Sequence, residues 1–380
     1  MIRCARTLAV LVLGGCGAPD AAALFADVVP YIEPDGPSAD AHLIAVIESA
    51  QESLAVALPS GEDAALGDAI VAADARGVAV EVIADADAAE SPAVSAIADA
   101  EIPLRLADDA LTYFDFTSGA PVTWASSAVR MSHAYAIADH DSIATATVAG
   151  ALGTGPRVVL EARGEDLLDD LLLEHNQVFG GVDATALTSY SEPAKSIVDF
   201  RWNYGTAGDT RLEVWLGPQE RLVKRVVDAA YGARSDIRIL TDDLACEGLI
   251  TALQAKAADG FSVTVIVGPH FGTSVSAVSR MLEDDAPDVE RFQRTGVDLL
   301  PTVVLVDYGD TRLGQRATTR AMVITHDLLS ASRFYRGVPV PSDQLVDGSL
   351  WELTRVGEPS PALTDLESLF ADQLALAEPL

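Results

Sequence analysis

The stretch LGDAIVAADARGVAVEVIADAD, residues 66–87, decides the fold. Leu66, Ala69, Ile70 and Ala73 recur at helical spacing and share one face. Arg76-Gly77 ends that helix, because glycine takes the left-handed cap without a Cβ penalty. Residues 78–85 then alternate as a strand. Upstream, Leu43, Ile44, Val46 and Ile47 carry a second helical face, and 54–58 (LAVAL) reads as a short apolar strand. Helix, strand, helix, strand in this order is an α/β pattern.

The pattern returns in LITALQAKAADGFSVTVIVG, residues 249–268. A helix there closes on Asp259-Gly260 and a strand follows. Gly260 stands 183 positions after Gly77, and Leu249, Ile237 and Val226 follow Leu66, Leu54 and Leu43 at the same offset. Four landmarks at one offset indicate an internal duplication. Each half also closes alike. The first runs VRMSHAYAIADHDSI, PRVVLEA and EDLLDDLLLEHNQVFGG; the second runs TTRAMVITHDLL, LWELTRV and LTDLESLFADQLALA. The expected organisation is a lobe at 30–190, a polar linker at 191–210 and a lobe at 211–380, two α-β-α lobes packed about a pseudo-twofold.

The N-terminus reads MIRCARTLAVLVLGGC. Arg3 and Arg6 precede a short apolar run that ends in small residues, which is a signal-peptide pattern too short to span a bilayer. Leu13-Gly14-Gly15-Cys16 resembles a bacterial lipobox, which implies cleavage after residue 15 and lipid on Cys16. Residues 16–29 then form a tether, and the protein sits in the cell envelope, periplasmic or cell-surface. Of the three cysteines, Cys4 would leave with the signal and Cys16 would be acylated, so Cys246 remains and no intramolecular disulfide is expected. The formal charge of −32 becomes −34 without Arg3 and Arg6. Such a surface repels phosphate backbones and anionic head groups, so no nucleic-acid partner is expected.

The segments IESAQESLAVAL, residues 66–87 and LLLEHNQVFGG of the first half, with DAAYGARSDIRIL, residues 249–268 and RAMVITHD of the second, together resemble the phospholipase D superfamily. The resemblance spans nearly the whole mature chain. Active members carry His-x-Lys-x4-Asp in each lobe. One histidine attacks phosphorus, the other protonates the leaving group, lysines stabilise phosphoryl oxygens and aspartates orient the imidazoles. Placing the motif on the Met-containing strands puts Ser132, Ala134 and Asp139 at the His, Lys and Asp positions of the first half. It puts Thr318, Arg320 and Thr325 there in the second. The family's following Gly-Ser-x-Asn falls on residues 146–149 and 332–335, Ala-Thr-Val-Ala and Ser-Arg-Phe-Tyr. Neither half has a histidine nucleophile, so no catalytic residue is assigned.

The remaining histidines offer little. His133 and His326 each sit one residue from a motif position, and strand parity turns them away from a groove; both read as surface or loop-end residues. His270 ends a strand where ligands of α/β sheets often lie, and is the candidate groove residue. His42 and His175 lie on helical segments and read as structural. Asp85 and Asp87 follow a strand and read as loop caps. Trp202, Trp215 and Trp351 read as packing residues, and Cys246 as a buried thiol. No phosphate loop, dinucleotide turn or zinc cluster is present, so no cofactor or metal is expected. The expected function is a membrane-anchored, inactive phospholipase D-like binding or scaffolding module with an unidentified protein or small-molecule partner. A divergent phosphodiesterase or phosphatidyltransferase with a rearranged site, and a periplasmic solute-binding lipoprotein, are the alternatives. The first alternative requires His133, His270, Asp139 and Arg320 to converge.

Overall fold

The computed structural model describes residues 29–33, 38–59, 63–107, 111–115, 120–124, 130–131, 133–139, 142–146, 157–162, 171–172, 174–176, 179, 204–207, 210–216, 222–242, 244, 246–269, 289–297, 299, 302–307, 318–324, 334–335, 338–339, 346–347, 349–356 and 361–380. Two large sheets organise the chain. The first contains β1 (Val29–Glu33), β2 (Ser53–Leu58), β3 (Ala79–Asp85), β4 (Leu104–Ala107), β5 (Tyr135–Ala138), β6 (Ser142–Ala146) and β7 (Arg157–Ala162), in the order β1-β7-β6-β5-β2-β3-β4. The second contains β8 (Tyr204–Ala207), β9 (Thr210–Leu216), β10 (Asp236–Thr241), β11 (Ser262–Val267), β12 (Glu290–Gln293), β13 (Thr302–Val306), β14 (Thr318–Ile324), β15 (Ser349–Val356) and β16 (Glu378–Pro379). Its order is β8-β9-β15-β14-β13-β10-β11-β12-β16.

Stripped of its edge strands β8 and β16, the second sheet repeats the first. In each, three neighbouring strands run parallel (β2-β3-β4 and β10-β11-β12), and the rest pair antiparallel. The repeat extends to register. Ser53 faces Ala79 and Leu54 faces Val80; Asp236 faces Ser262 and Ile237 faces Val263, each 183 positions on.

Two helices of each half repeat: α1 (Ser38–Ser49) and α2 (Ala64–Ala75) correspond to α4 (Leu222–Gly232) and α5 (Glu247–Ala258), while α3 (Pro92–Asp99) follows β3 and the C-terminal α6 (Pro361–Leu376) follows β15. Asp63 caps α2 by accepting from the Ala65 N–H at 2.9 Å. Gly77 (φ 90°) and Gly260 (φ 83°) both end their helices in the left-handed region. The same pair of bonds closes both ends: Gly77 and Val78 donate to Asp74 and Ala73, and Gly260 and Phe261 donate to Ala257 and Lys256. A cation from this corner also caps the preceding helix. The Arg76 guanidinium donates to the carbonyls of Ile47, Glu48 and Ala50, and Lys256 Nζ donates to that of Ala233 at 2.6 Å.

Apolar faces assign the layers. Leu43, Ile47, Leu66 and Ile70 cover one face of the first sheet through Leu54, Val56, Val80 and Val82. Val226, Leu249 and Leu253 cover one face of the second through Ile237, Ile239, Val263 and Val265. The opposite faces meet in a single buried cluster. It takes Ala57, Tyr135, Ile137 and Leu160 from the first sheet, and Leu240, Val303, Leu305, Val323, Trp351 and Leu353 from the second. Leu171, Phe179 and the α6 residues Leu363, Leu366 and Phe370 belong to it as well. The central strands β2, β3, β5, β10, β11, β13 and β14 thus send alternate side chains to an outer helical layer and to the shared centre. Among the described residues, no helix is long and apolar enough to cross a membrane.

Candidate functional site

The register of the two sheets locates the motif strands. In the first sheet β5 lies antiparallel to β2, with Leu54 opposite Ala138. Asp139 follows in the left-handed region, φ 55°. Its carboxylate accepts the N–H groups of Gln51 (2.8 Å), Glu52 (2.6 Å) and Ser53 (3.0 Å), and its own N–H donates to Ser53 O at 2.9 Å. In the second sheet β13 lies antiparallel to β10, with Ile237 opposite Val306. Asp307 follows, again left-handed at φ 62°. It accepts the N–H groups of Arg234 (2.5 Å) and Ser235 (3.0 Å), and donates to Asp236 O at 3.0 Å. Arg234 and Ser235 stand 183 positions after Gln51 and Glu52. Asp139 and Asp307 are therefore the same position in the two lobes.

This corrects the placement of the second motif. The β5 counterpart is β13, not the Met-containing strand β14, which pairs with β13 as β6 pairs with β5. Counting back from Asp307 puts Leu300 and Thr302 at the histidine and lysine positions. Thr318 and Arg320 lie on β14 instead. Arg320 faces Val306 at the Asp307 end of the sheet, and its guanidinium is 3.8 Å from Glu352. By the same register the Gly-Ser-x-Asn position becomes residues 324–327, Ile-Thr-His-Asp, in place of 332–335. Thr325 and His326 lie outside the described residues, as do Ser132, His270, Leu300 and Cys16.

Among the described residues the aspartates meet backbone N–H groups and no imidazole. Asp139 lies six positions beyond His133, a span of about 20 Å at ~3.3 Å per residue. Asp139 and Asp307 instead fasten the turn that joins the first helix of each half to its first central strand.

At the other end of the motif strands, both lobes use one more shared device. Asp85, 4 % exposed at the end of β3, accepts the Met131 N–H at 2.8 Å. Asp242, 6 % exposed after β10, accepts the Leu299 N–H at 3.2 Å. Met131 and Leu299 each immediately precede a histidine position. A carboxylate thus holds the backbone there in both lobes, though it comes from different strands. Gly268 makes room for it, because a Cβ there would stand 2.1 Å from Asp242 Oδ1. Asp85 is a loop cap, as its sequence context suggests.

The lysine positions hold small side chains. Ala134 is buried at 1 %. Thr302 is fully buried, with its hydroxyl 3.0 Å from that of Thr241. Neither offers a positive charge to phosphoryl oxygens. Among the described residues, no group of three or more His, Cys, Asp or Glu side chains is arranged to hold a metal ion.

His133 was expected at the surface, yet it is 1 % exposed, and its Nε2 lies 3.3 Å from Glu174 Oε1, itself 1 % exposed. Strand parity does put it on the face opposite Ala134, but that face is the buried centre and not solvent. His175 is equally buried, with Nδ1 3.1 Å from the Tyr135 hydroxyl, Nε2 3.7 Å from Glu81 Oε2, and its ring stacked on Phe179. Burial pushes the His175 pKa down to about 3; nearby Glu174 opposes this and His133 adds to it. Sequence spacing could not reveal this cluster, because Tyr135 on β5 and His175 are 40 residues apart. The local signal was two adjacent ionisable residues, Glu174-His175, inside an apolar helical run.

Trp202 lies outside the described residues, and the other sequence-selected residues take packing roles. Trp351 is fully buried in the central cluster. Arg225 lies over the Trp215 ring, 3.4 Å from its centroid. Cys246 is buried at the N-cap of α5. His42 is half-buried on α1.

Two sheets of matching topology with these registers form a phospholipase D-like fold. Residues 43–151 match the family described as "Cardiolipin synthase, PLD-like domain". Phosphatidylserine synthase from Haemophilus influenzae Rd KW20 has a similar fold, with a TM-score of 0.58 at 11 % identity over 92 % of this chain and 87 % of that one. Polyphosphate kinase from Porphyromonas gingivalis gives 0.54 at 11 % identity over 91 % of this chain, which spans 50 % of the kinase. At these identities the likeness is one of fold. No curated protein sequence matches the chain.

Proposed function

We propose that this chain is a lipid-anchored phospholipase D-like protein that binds or scaffolds and does not catalyse phosphodiester transfer. The observation that carries the reading is the paired register of Asp139 and Asp307. It makes Ser132, Ala134, Leu300 and Thr302 the occupants of the four His and Lys positions. Phosphohistidine chemistry needs an imidazole at one of them and charge stabilisation beside it. A serine, an alanine, a leucine and a threonine supply neither.

A rearranged active site is the second reading, and it required His133, His270, Asp139 and Arg320 to converge. His133 and Asp139 lie at opposite ends of β5, and Arg320 lies at the Asp307 end of the second sheet, bound to Glu352. The solute-binding reading expects two lobes hinged about an open cleft, whereas here the two sheets share one apolar cluster. The decisive assay follows hydrolysis of bis-nitrophenyl phosphate and of phosphatidyl lipid vesicles by the purified chain. Rates equal to buffer are expected; turnover abolished by His133→Ala would overturn the reading.

The anchor rests on the Leu-Gly-Gly-Cys run at 13–16. With the net negative surface, lipid on Cys16 serves as a tether and not as a means of docking on anionic head groups. Expressed in a bacterium, the chain partitions into the membrane fraction and the detergent phase, and Cys16→Ser shifts it to the soluble fraction. Equal partitioning of the two proteins would contradict the anchor.

A further inference from the structure

We propose that His133 and His175 form an acid-sensitive latch that holds the segment carrying Glu174, His175 and Phe179 against the first sheet. The latch is assembled from three places in the chain. β3 brings Glu81, β5 and its approach bring His133 and Tyr135, and the 171–179 segment brings Glu174, His175 and Phe179. Two polar pairs tie the segment down: His133 Nε2 to Glu174 Oε1 at 3.3 Å, and Tyr135 Oη to His175 Nδ1 at 3.1 Å. Ring contacts reinforce them. The His175 and Phe179 rings stack with centroids 5.7 Å apart, and the Tyr135 ring meets His175 edge-on at 5.9 Å. Glu81 is the one member with substantial exposure, its side chain 36 % accessible.

Counting charge shows why acid opens it. A proton on His175 places a positive charge in a layer where the imidazole is 1 % exposed. Among the described residues, the groups that face His175 are Tyr135, Glu174, His133, Phe179 and Glu81. Glu174 is engaged with His133 at 3.3 Å, and Glu81 stands 3.7 Å away with burial favouring its own neutral form. Uptake of the proton is therefore coupled to release of His175 into water, where it titrates at its ordinary value. Glu174 and His175 are adjacent, so releasing one loosens the other pair. Below pH ~6.5 the open population rises about tenfold per pH unit.

Hydrogen exchange of the full chain, corrected for intrinsic exchange rates, tests this between pH ~7 and ~5. Peptides spanning 171–179 should lose about tenfold protection per pH unit below ~6.5 and remain less protected than peptides from β10 and β11, which open only with global unfolding. His175→Phe keeps the ring stack and removes the proton, and its protection should not change with pH. Should that variant fail to protect β10 and β11 at neutral pH, His175→Gln, which retains a partner for the Tyr135 hydroxyl, is read by the same criterion. Flat protection of 171–179 in the unmodified chain, or an equal loss in the non-titrating variant, overturns the latch.

Discussion

Asp307→Ala lowers the free energy of unfolding by about 3 kcal/mol. The carboxylate, 8 % exposed, accepts the Arg234 and Ser235 N–H groups. Hydrogen bonds to a charged group are worth about 1.5–3 kcal/mol, and their loss leaves the two donors of a tight turn unmatched. Alanine at φ 62° adds about 1 kcal/mol of backbone strain. Asp307→Asn keeps one acceptor and tolerates the left-handed region, so it costs about 1 kcal/mol. Asp139→Ala behaves alike at about 2 kcal/mol, because its turn is more exposed and water replaces part of the loss. Urea unfolding followed by far-UV circular dichroism and tryptophan fluorescence measures all three. An Asp307→Ala variant within about 0.5 kcal/mol of the unmodified chain, the scatter of neutral surface substitutions, would show that the aspartate does not fasten the turn.

Stability falls by about 2–3 kcal/mol between pH ~6.5 and ~4.5, and His175 is the cause. Its folded pKa lies near 3, below the ordinary value of 6.5. The unfolded chain therefore binds the proton first as pH falls. The stabilisation is fully present above 6.5 and is lost progressively towards 3, at about 1.4 kcal/mol per unit. Glu81 and Asp236 act in the opposite sense, since burial raises both carboxyl pKa values and favours their protonated forms in the fold. Because their contribution has the opposite sign, the part of a downward slope that His175→Phe removes belongs to the histidine. Denaturant midpoints measured across that interval should slope downward in the unmodified chain and flatten in His175→Phe. An unchanged slope in the variant would assign the acid sensitivity to other groups.

Much of the fold was legible because its signals are local. Helix faces, the Gly77 and Gly260 caps and the parallel strands repeat at one offset, and each is fixed by a few neighbouring residues. The second motif was not legible by the same means. β3 and β5 are separated by residues 86–134, whereas β11 and β13 are separated by 268–301, which is 15 residues fewer. That shorter connection breaks the constant offset before the second motif, and an offset of 183 from Asp139 then falls on Met322 of β14. The informative signal was four apolar residues followed by aspartate, Tyr-Ala-Ile-Ala-Asp ending at 139 and Val-Val-Leu-Val-Asp ending at 307. The burial of His133 was illegible for another reason. Parity separates His133 from Ala134, but instead of turning it away from the space between the sheets it puts it on the side of Tyr135 and Ile137, the face that packs on the second sheet.

The proposal that the chain does not carry out phosphohistidine chemistry is tested most directly by trapping the covalent intermediate. The purified chain is mixed with a short-chain phosphatidyl lipid, quenched in alkaline denaturant, which preserves phosphohistidine, and read by intact mass and peptide mapping. With Ser132, Ala134, Leu300 and Thr302 at the motif positions, the mass stays that of the unmodified chain at every time point. A phosphatidyl adduct mapped to His133, His270 or any other histidine would contradict the account.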